Sequence, residues 1–390
     1  MVFISLLLAL SLILGVVSCS QTPAPTTTST PAATTTAATT SKPATTTTTT
    51  TTAAVTPKYV LSMAPINCPA PVPEGSNPPP SGSGRFMNEY GKLVAAKTNG
   101  QVKVDIYWSQ ALLPVNQIVS GTSTGVADIG GIAPDKEAGK LPLSIVAHVP
   151  GYGTDWWAQS MAYWDLLNQE PLLSEYRNFN LVPIGLNFVA DYNLISKAPI
   201  RTLAELKGKK VAASGLQAKT LTELGAVPVA MSPTEQYEGM GKGTIDAITA
   251  SYAPIADFKF YEVGKYITTF PFGGKMQPIA MNKNSWDKLP PDIQNAFKGM
   301  IPDVIQVCID SFYRKGQPLF PMSEQLVKDN NLQIFQTSAE DIAALQQIQA
   351  GQAEAWAAET DKAGLPGSKI LADYRALVAK YAKVSTYPFK

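Results

Sequence analysis

Apolar and polar positions recur along this chain with two different periods, and their order predicts an α/β protein. Lys58 to Met63 (KYVLSM) and Val102 to Tyr107 (VKVDIY) are strands, and between them Phe86, Met87, Tyr90, Leu93 and Val94 recur at helical spacing. Asn99-Gly100 stops that helix. Ile129 can bury, and Gly130-Gly131 after it make a tight turn with no Cβ in the way of an approaching group. Met161 to Leu167 is helical, Leu181 to Leu186 is a buried-type strand, and Leu194 to Ser196 resumes as another.

The most ordered pattern runs from Leu206 to Met231, LKGKKVAASGLQAKTLTELGAVPVAM. Val211 to Ala213 is a short strand, Ser214-Gly215 opens a helix that closes on Gly225, and Val227 to Met231 is a further β segment. Ligands in open α/β sheets collect where such turns leave the carboxyl ends of strands. Met240 to Ala250 gives a helix end and a strand closing at Ser251-Tyr252. Ile293, Phe297, Val304, Ile305, Cys308 and Phe312 share a helix face that Pro302 should kink or restart. A strand at Leu332 to Phe335, a helix capped by Ser338, and a last helix from Ser368 complete the pattern.

The first 57 residues obey neither period. Residues 1–18 are an apolar run typical of a signal peptide, and Val16-Val17-Ser18-Cys19 looks like a bacterial lipobox, in which Cys19 is acylated and becomes the N-terminus. No Lys or Arg precedes the apolar core, so a basic segment is expected upstream of Met1. Gln21 to Pro57 is nearly all Thr, Ala and Pro and cannot bury enough apolar surface to fold. It is expected to tether the body to the membrane, spanning roughly 35 Å as a coil and about 110 Å when extended.

Charge and chemistry narrow the function classes. Lys plus Arg number 31 against 30 Asp plus Glu, so no excess charge attracts nucleic acid. His148, the one histidine, lies in a Val-Ala-His-Val-Pro run and is expected to be a core residue rather than a catalyst. There is no nucleophile elbow, phosphate loop or metal-ligand spacing, so no enzyme, cofactor or metal is expected. Glu235 and Glu238 lie at helical spacing on what should be a solvated face. Cys68 and Cys308 are expected to be unpaired, one in a loop and one on a helix face.

PIRTLAEL, LKGKKVAASG and SPTEQYEGMGKGTIDAI, with the ordered strands around them, resemble the DctP-type solute-binding proteins of tripartite ATP-independent periplasmic (TRAP) transporters. The resemblance covers about Lys58 to Lys390 and is strongest from Leu181 to Phe297. It implies a two-lobed fold like that of periplasmic binding proteins, with crossing strands and a ligand cleft. It implies a helix and strand over Leu113 to Ile132 whose Gly130-Gly131 exit approaches the ligand, and strands at Ile267 to Phe272 and Pro278 to Trp286. A helix spanning the lobes would start at Lys288 to Phe297, kinked or restarted by Pro302 and broken by Pro318 and Pro321. Lobe I would comprise 58–189 with 278–317 and lobe II 190–277 with 318–390. With the lipobox at Cys19, it also implies an extracytoplasmic, lipid-anchored receptor that delivers an organic solute to TRAP membrane permease subunits. An ABC-importer receptor and a sensory lipoprotein are the alternatives.

In that family an Arg on the strand after LKG(K/L)K pairs with the solute's carboxylate. Ala212 occupies its place here. The solute is therefore expected to be larger and more apolar than a C4-dicarboxylate, or to have its acid group held by Lys219 or Lys275. Tyr152, Phe188, Tyr192, Tyr252 and Phe272 are the candidate lining residues, and Asn187, Ser214, Gln217 and Ser251 the orienting polar groups.

Overall fold

The computed structural model describes residues 56–66, 82–137, 139–153, 155–189, 192–312, 322 and 324–387. All of these belong to one compact unit, Ala54–Lys390. The signal segment, Cys19, nearly all of the tether and Cys68 lie outside the described residues.

The first lobe begins with β1 (Tyr59–Ala64), α1 (Gly82–Lys97) and β2 (Val102–Ile106). α1 buries Phe86, Met87, Tyr90 and Val94, the stripe its periodicity marks. Asn99 and Gly100 end it at φ of 51° and 75°, the left-handed turn for which Asn-Gly is suited. α2 (Ile118–Ser123) leads into β3 (Ile129–Gly131). A Cβ on Gly130 would stand 2.4 Å from Thr122 Oγ1 and 2.8 Å from Ile118 Cγ2. The approach anticipated for a ligand is thus made by a helix: missing side chains let α2 lie close on β3. α3 (Trp156–Leu167), α4 (Leu172–Asn178) and the almost wholly buried β4 (Leu181–Val189) complete this lobe's first pass.

The chain then enters the second lobe with β5 (Asn193–Ser196), β6 (Lys210–Ala212), α5 (Gly215–Glu223) and β7 (Val227–Val229). There follow α6 (Pro233–Lys242), β8 (Ala247–Ala250), α7 (Tyr252–Asp257), α8 (Phe260–Val263) and β9 (Tyr266–Thr268). Ser232 and Glu235 form a reciprocal capping box at the start of α6, so Glu235 has a structural task at an exposed helix end. β10 (Lys275–Asn282) returns to the first lobe and is buried along its whole length. It leads to α9 (Lys283–Asp287), α10 (Pro291–Gly299) and α11 (Ile301–Phe312). The last elements are α12 (Glu324–Asp329), β11 (Gln333–Phe335), α13 (Ala339–Lys362) and α14 (Gly367–Ala382).

The two sheets have strand orders β2-β1-β3-β10-β4 and β11-β9-β5-β8-β6-β7. In the first, β10 runs antiparallel to β3 and β4. In the second, β5 runs antiparallel to β8 and β9. The chain crosses between sheets after β4 and again before β10, and the crossings are hydrogen-bonded to each other. Tyr192 N donates to Gly273 O at 3.1 Å and Phe272 N to Tyr192 O at 3.2 Å. Lys275, placed at the end of lobe II by the sequence boundaries, is already paired with Val189 in the first sheet.

Pro302 restarts the helix, as its position predicts. α10 stops at Gly299 and α11 restarts at Ile301, with Pro302 in the first turn, where its missing N–H costs no hydrogen bond. Both helices bury their apolar face, including Phe297, Val304, Cys308 and Phe312, in the first lobe's core. The connecting helix is instead α13, whose 24 residues give about 36 Å of length. Leu345 packs in a second-lobe cluster, while Ala353, Trp356 and Ala357 join the first-lobe core. Ser338 caps it, accepting from Asp341 N at 3.1 Å. The assignment of 318–390 to lobe II therefore fails for its last part. Ile370, Leu371, Tyr374 and Val378 of α14 bury in the first-lobe core, and Tyr374 Oη donates to Gln159 O of α3 at 3.3 Å.

Gly274 sits where the second crossing meets the first sheet. A Cβ there would lie 2.3 Å from Trp156 Cη2 and 2.4 Å from Val189 O, and the backbone atom cannot give way cheaply. Gly274→Ala is expected to destabilise the protein by about 1–3 kcal/mol. A shift of the urea midpoint without a change in slope is the check.

Candidate ligand-binding site

The site grows from the βα turn after β6. Ser214 begins α5 in extended conformation, and Gly215 turns the chain at φ 61°. The Ser214 hydroxyl makes no cap bond and instead accepts from Lys136 Nζ at 3.3 Å. Lys136 follows β3 in the other lobe, so this bond bridges the two walls of a cleft. Below it, β10 presents Lys275 and Gln277 from the first sheet.

Two adjoining cavities occupy the cleft. The larger, 630 Å³, takes in Gln110, Asn116, Tyr192, Ser214, Thr249 and Gln277 among its lining. The smaller, 300 Å³, has apolar walls from Pro142, Ile145, Leu216, Phe272 and Trp356, with His148 and Thr360 among its polar groups. Asp135, Gln217 and Lys275 line both and mark the boundary between them. Trp356 reaches the smaller cavity because α13 spans the lobes.

The boundary is electrically organised. Lys275 Nζ donates to Asp135 Oδ2 at 2.7 Å, and both side chains are only 10% exposed. Lys275 Nζ also lies 5.3 Å from the centre of the Tyr192 ring, within cation–π range. Burial, the largest single influence, would raise the Asp135 carboxyl, but the Lys275 ammonium and its hydrogen bond, with the neighbouring His148 and Lys136, together hold that carboxyl well below the usual range. His148 adds to that effect only when protonated, and its own burial pulls the imidazole below its ordinary value despite Asp135. Burial also works against a charged Lys275, yet Tyr192 and Asp135 together raise it. At neutral pH the centre is accordingly an ammonium–carboxylate pair beside a neutral histidine.

Not all predicted residues meet there. Tyr192, Ser214, Gln217 and Phe272 line the cavities. Asn187 is one bond removed, donating from Nδ2 to Gln277 Oε1 at 2.8 Å and accepting from Cys308 Sγ at 3.2 Å. Phe188 stacks on Trp156 at 5.7 Å in the first-lobe core, because its side chain lies on the strand face covered by α3 and α11. Tyr152 packs edge-on against Tyr374 at 4.7 Å, held by α14. Tyr252 packs in a second-lobe cluster, and Ser251 is buried at the start of α7; neither lines either of these two cavities. Ala212 is fully buried on β6, its carbonyl accepting from Thr249 Oγ1 at 3.1 Å.

Of the two lysines weighed for an acid group, Lys219 is more than half exposed and lies 3.5 Å from Glu359, at the rim. Lys275 is the buried one. Asp135, Lys136, Gln277 and Trp356 escaped the sequence reading. Asp135 and Lys136 follow the Gly130-Gly131 strand end, where strand-exit chemistry was legible; nothing local marks Trp356.

Two α/β lobes, two strand crossings and a cleft cavity beside the crossings define a two-lobed solute-binding protein. The model of bacterial extracellular solute-binding proteins, family 7 (DctP), matches residues 76–360, and the chain belongs to that family. A solute-binding protein of a Sulfitobacter species is 29% identical over 218 residues, covering 54% of this chain and 64% of that protein, so the chain spans just under two thirds of this relative. The monocarboxylate 2-oxoacid-binding periplasmic protein of a Nostoc species is 25% identical over 66% of this chain and 76% of its own length. A TRAP periplasmic solute-binding protein from Desulfovibrio salexigens has a similar structure, with TM-score 0.67 and 26% identity over 85% of this chain and 99% of that one. A TRAP solute-binding protein from Rhodoferax ferrireducens, solved with copurified benzoate, shares the fold at TM-score 0.71 and 23% identity, covering 83% of this chain and 99% of that one.

Asp135→Asn would leave the Lys275 ammonium buried without its counter-charge. The expected cost near neutral pH is about 3 kcal/mol, the low end for a broken buried pair because the cavity admits water. Since the Asp135 carboxyl is depressed in the folded state, its stabilising effect is present above the unfolded carboxyl value and is lost as pH falls through the lower folded value. The stability gap between wild type and variant should therefore shrink as pH drops below about 4. Denaturant titrations from pH 7 to 2 measure it.

Proposed function

We propose that the protein is an extracytoplasmic receptor that captures a small organic monocarboxylate between its lobes and delivers it to a TRAP-type membrane permease. Cys19 would carry the lipid anchor, and the Thr/Pro-rich segment would let the body reach its permease. The side chains of the cleft would hold and orient the solute and perform no chemistry on it.

The observation that carries this reading is the buried Lys275 at the junction of both cavities. An ammonium has three donors, and Asp135 takes one. A solute carboxylate can accept another in the same cleft. Lys136, Lys219 and Lys275 against Asp135 and Glu235, with His148 neutral, leave the two cavity linings with one net positive charge, suited to a single carboxylate. A second carboxylate would enter a buried site without a counter-charge. Lys275 thus takes over the task of the arginine that Ala212 replaces, and an apolar chamber beside it is compatible with an acid.

Contacts from both walls give the closed state its advantage. Ser214 and Gln217 belong to the second lobe and Asp135 to the first, so a solute touching both sets shifts the lobes toward closure. The monocarboxylate 2-oxoacid-binding relative and the benzoate-bound fold neighbour support this solute class.

Mass spectrometry of the solute released from the purified full chain tests the proposal. An organic monoacid is expected, with binding to wild type weakened about 10–100-fold in Lys275→Met. A neutral or cationic solute, or an acid that binds Lys275→Met as tightly as wild type, would overturn it.

A further inference from the structure

His148 is the one histidine in the chain, and its two ring nitrogens are in opposite situations. Nε2 lies 2.6 Å from Met276 O and must donate to that carbonyl. The neutral ring therefore carries its proton on Nε2 and leaves a lone pair on Nδ1. Nδ1 is buried without a hydrogen-bond partner, and the residue is 7% exposed. Facing it at 3.9 Å is Asp135 Oδ1, another acceptor, whose partner oxygen is taken by Lys275. Two acceptors thus face each other with no proton between them.

A buried acceptor without a donor is costly, and native structures seldom leave one so. The residue that carries it lines the 300 Å³ cavity, whose other walls include Ile145, Leu216, Phe272 and Trp356. That volume and lining suit a flat apolar group of about the size of an aromatic ring. Lys275 borders the same cavity.

We propose that the smaller cavity is the specificity chamber of the receptor and takes an aromatic-type ring bearing a hydroxyl or N–H group. His148 Nδ1 accepts from that donor while Lys275 holds the ring's carboxylate. This deepens the receptor reading and rests on it. Ile145, Leu216 and Trp356 supply the apolar contact, and His148 supplies the discrimination. A site built around an acceptor favours a ligand that carries the matching donor over one that lacks it, because the unmatched ligand leaves the acceptor unpaired.

Two probes of nearly equal shape isolate the donor: 3-hydroxybenzoate and 3-methylbenzoate. The full chain, stripped of bound solute by unfolding and refolding, is titrated with each by calorimetry. Wild type is expected to bind the hydroxyl probe about tenfold more tightly than the methyl probe. His148→Leu should bring the two together by weakening the hydroxyl probe, and His148→Gln, which keeps an acceptor, should restore part of the preference. Equal affinities in wild type overturn the role of His148 and leave the receptor reading standing. Equal losses of both probes in His148→Leu also overturn it, by showing that the ring only supports the fold. Failure of wild type to bind either probe overturns the ring-acid assignment, while the mass of the copurified solute still decides the receptor reading by itself.

Discussion

The ion pair between Lys275 and Asp135 is the constraint on which the rest of the cleft depends. Each charge is buried deeply enough that neither could remain alone without a large penalty. The pair fixes the start of β10 against the segment after β3, and so fixes where the two cavities divide. Such a pair adds little net stability compared with apolar packing. Its persistence in the base of a cleft is better explained by what it offers a visitor. An ammonium with a free donor, pre-oriented and already desolvated, spares a carboxylate much of the cost of ordering its partner.

The architecture around the pair supplies rigid walls and two narrow links. β4 and β10 pair along their lengths in one sheet, and their extensions bond to each other at Tyr192 and Gly273 where the lobes meet. α13 adds a third connection. Gln352 accepts from Thr220 at 3.0 Å and donates to Glu223 at 2.9 Å, both on α5, and Gln349 donates to Pro271 O at 2.7 Å. The helix that carries Trp356 to the smaller cavity is thereby tied to the turn that carries Gln217. Movement of α5 and a change in chamber shape are coupled through these side-chain bonds.

Much of the fold was legible because its signals are local. Strand and helix periods placed β1, α1, β2, β4, β6 and α5 closely, and Asn99-Gly100 and Ser338 marked real helix ends. The restart at Pro302 was legible too, since proline acts on its own turn. Long-range packing was harder to read. Sequence spacing cannot tell that Tyr152 and α14 meet in the first-lobe core, or that α13, not α10 and α11, connects the lobes. Cleft residues divided in the same way. Ser214 and Gln217 follow from the βα turn, whereas Phe188 and Lys275 differ only in the side of the sheet they face and in where β10 begins. A shift of one residue exchanges those faces. The sequence could not separate Lys275 from Lys219, because the counter-charge of Lys275, Asp135, is remote in the chain.

The central claim is that Lys275 holds the solute's acid group. A crystal structure of the full chain with its copurified solute measures this most directly. The account predicts a carboxylate oxygen within about 3 Å of Lys275 Nζ, with Asp135 still paired to the same ammonium. A solute lying in the cleft with its charged group on other residues, and Lys275 bonded to Asp135 alone, would contradict it.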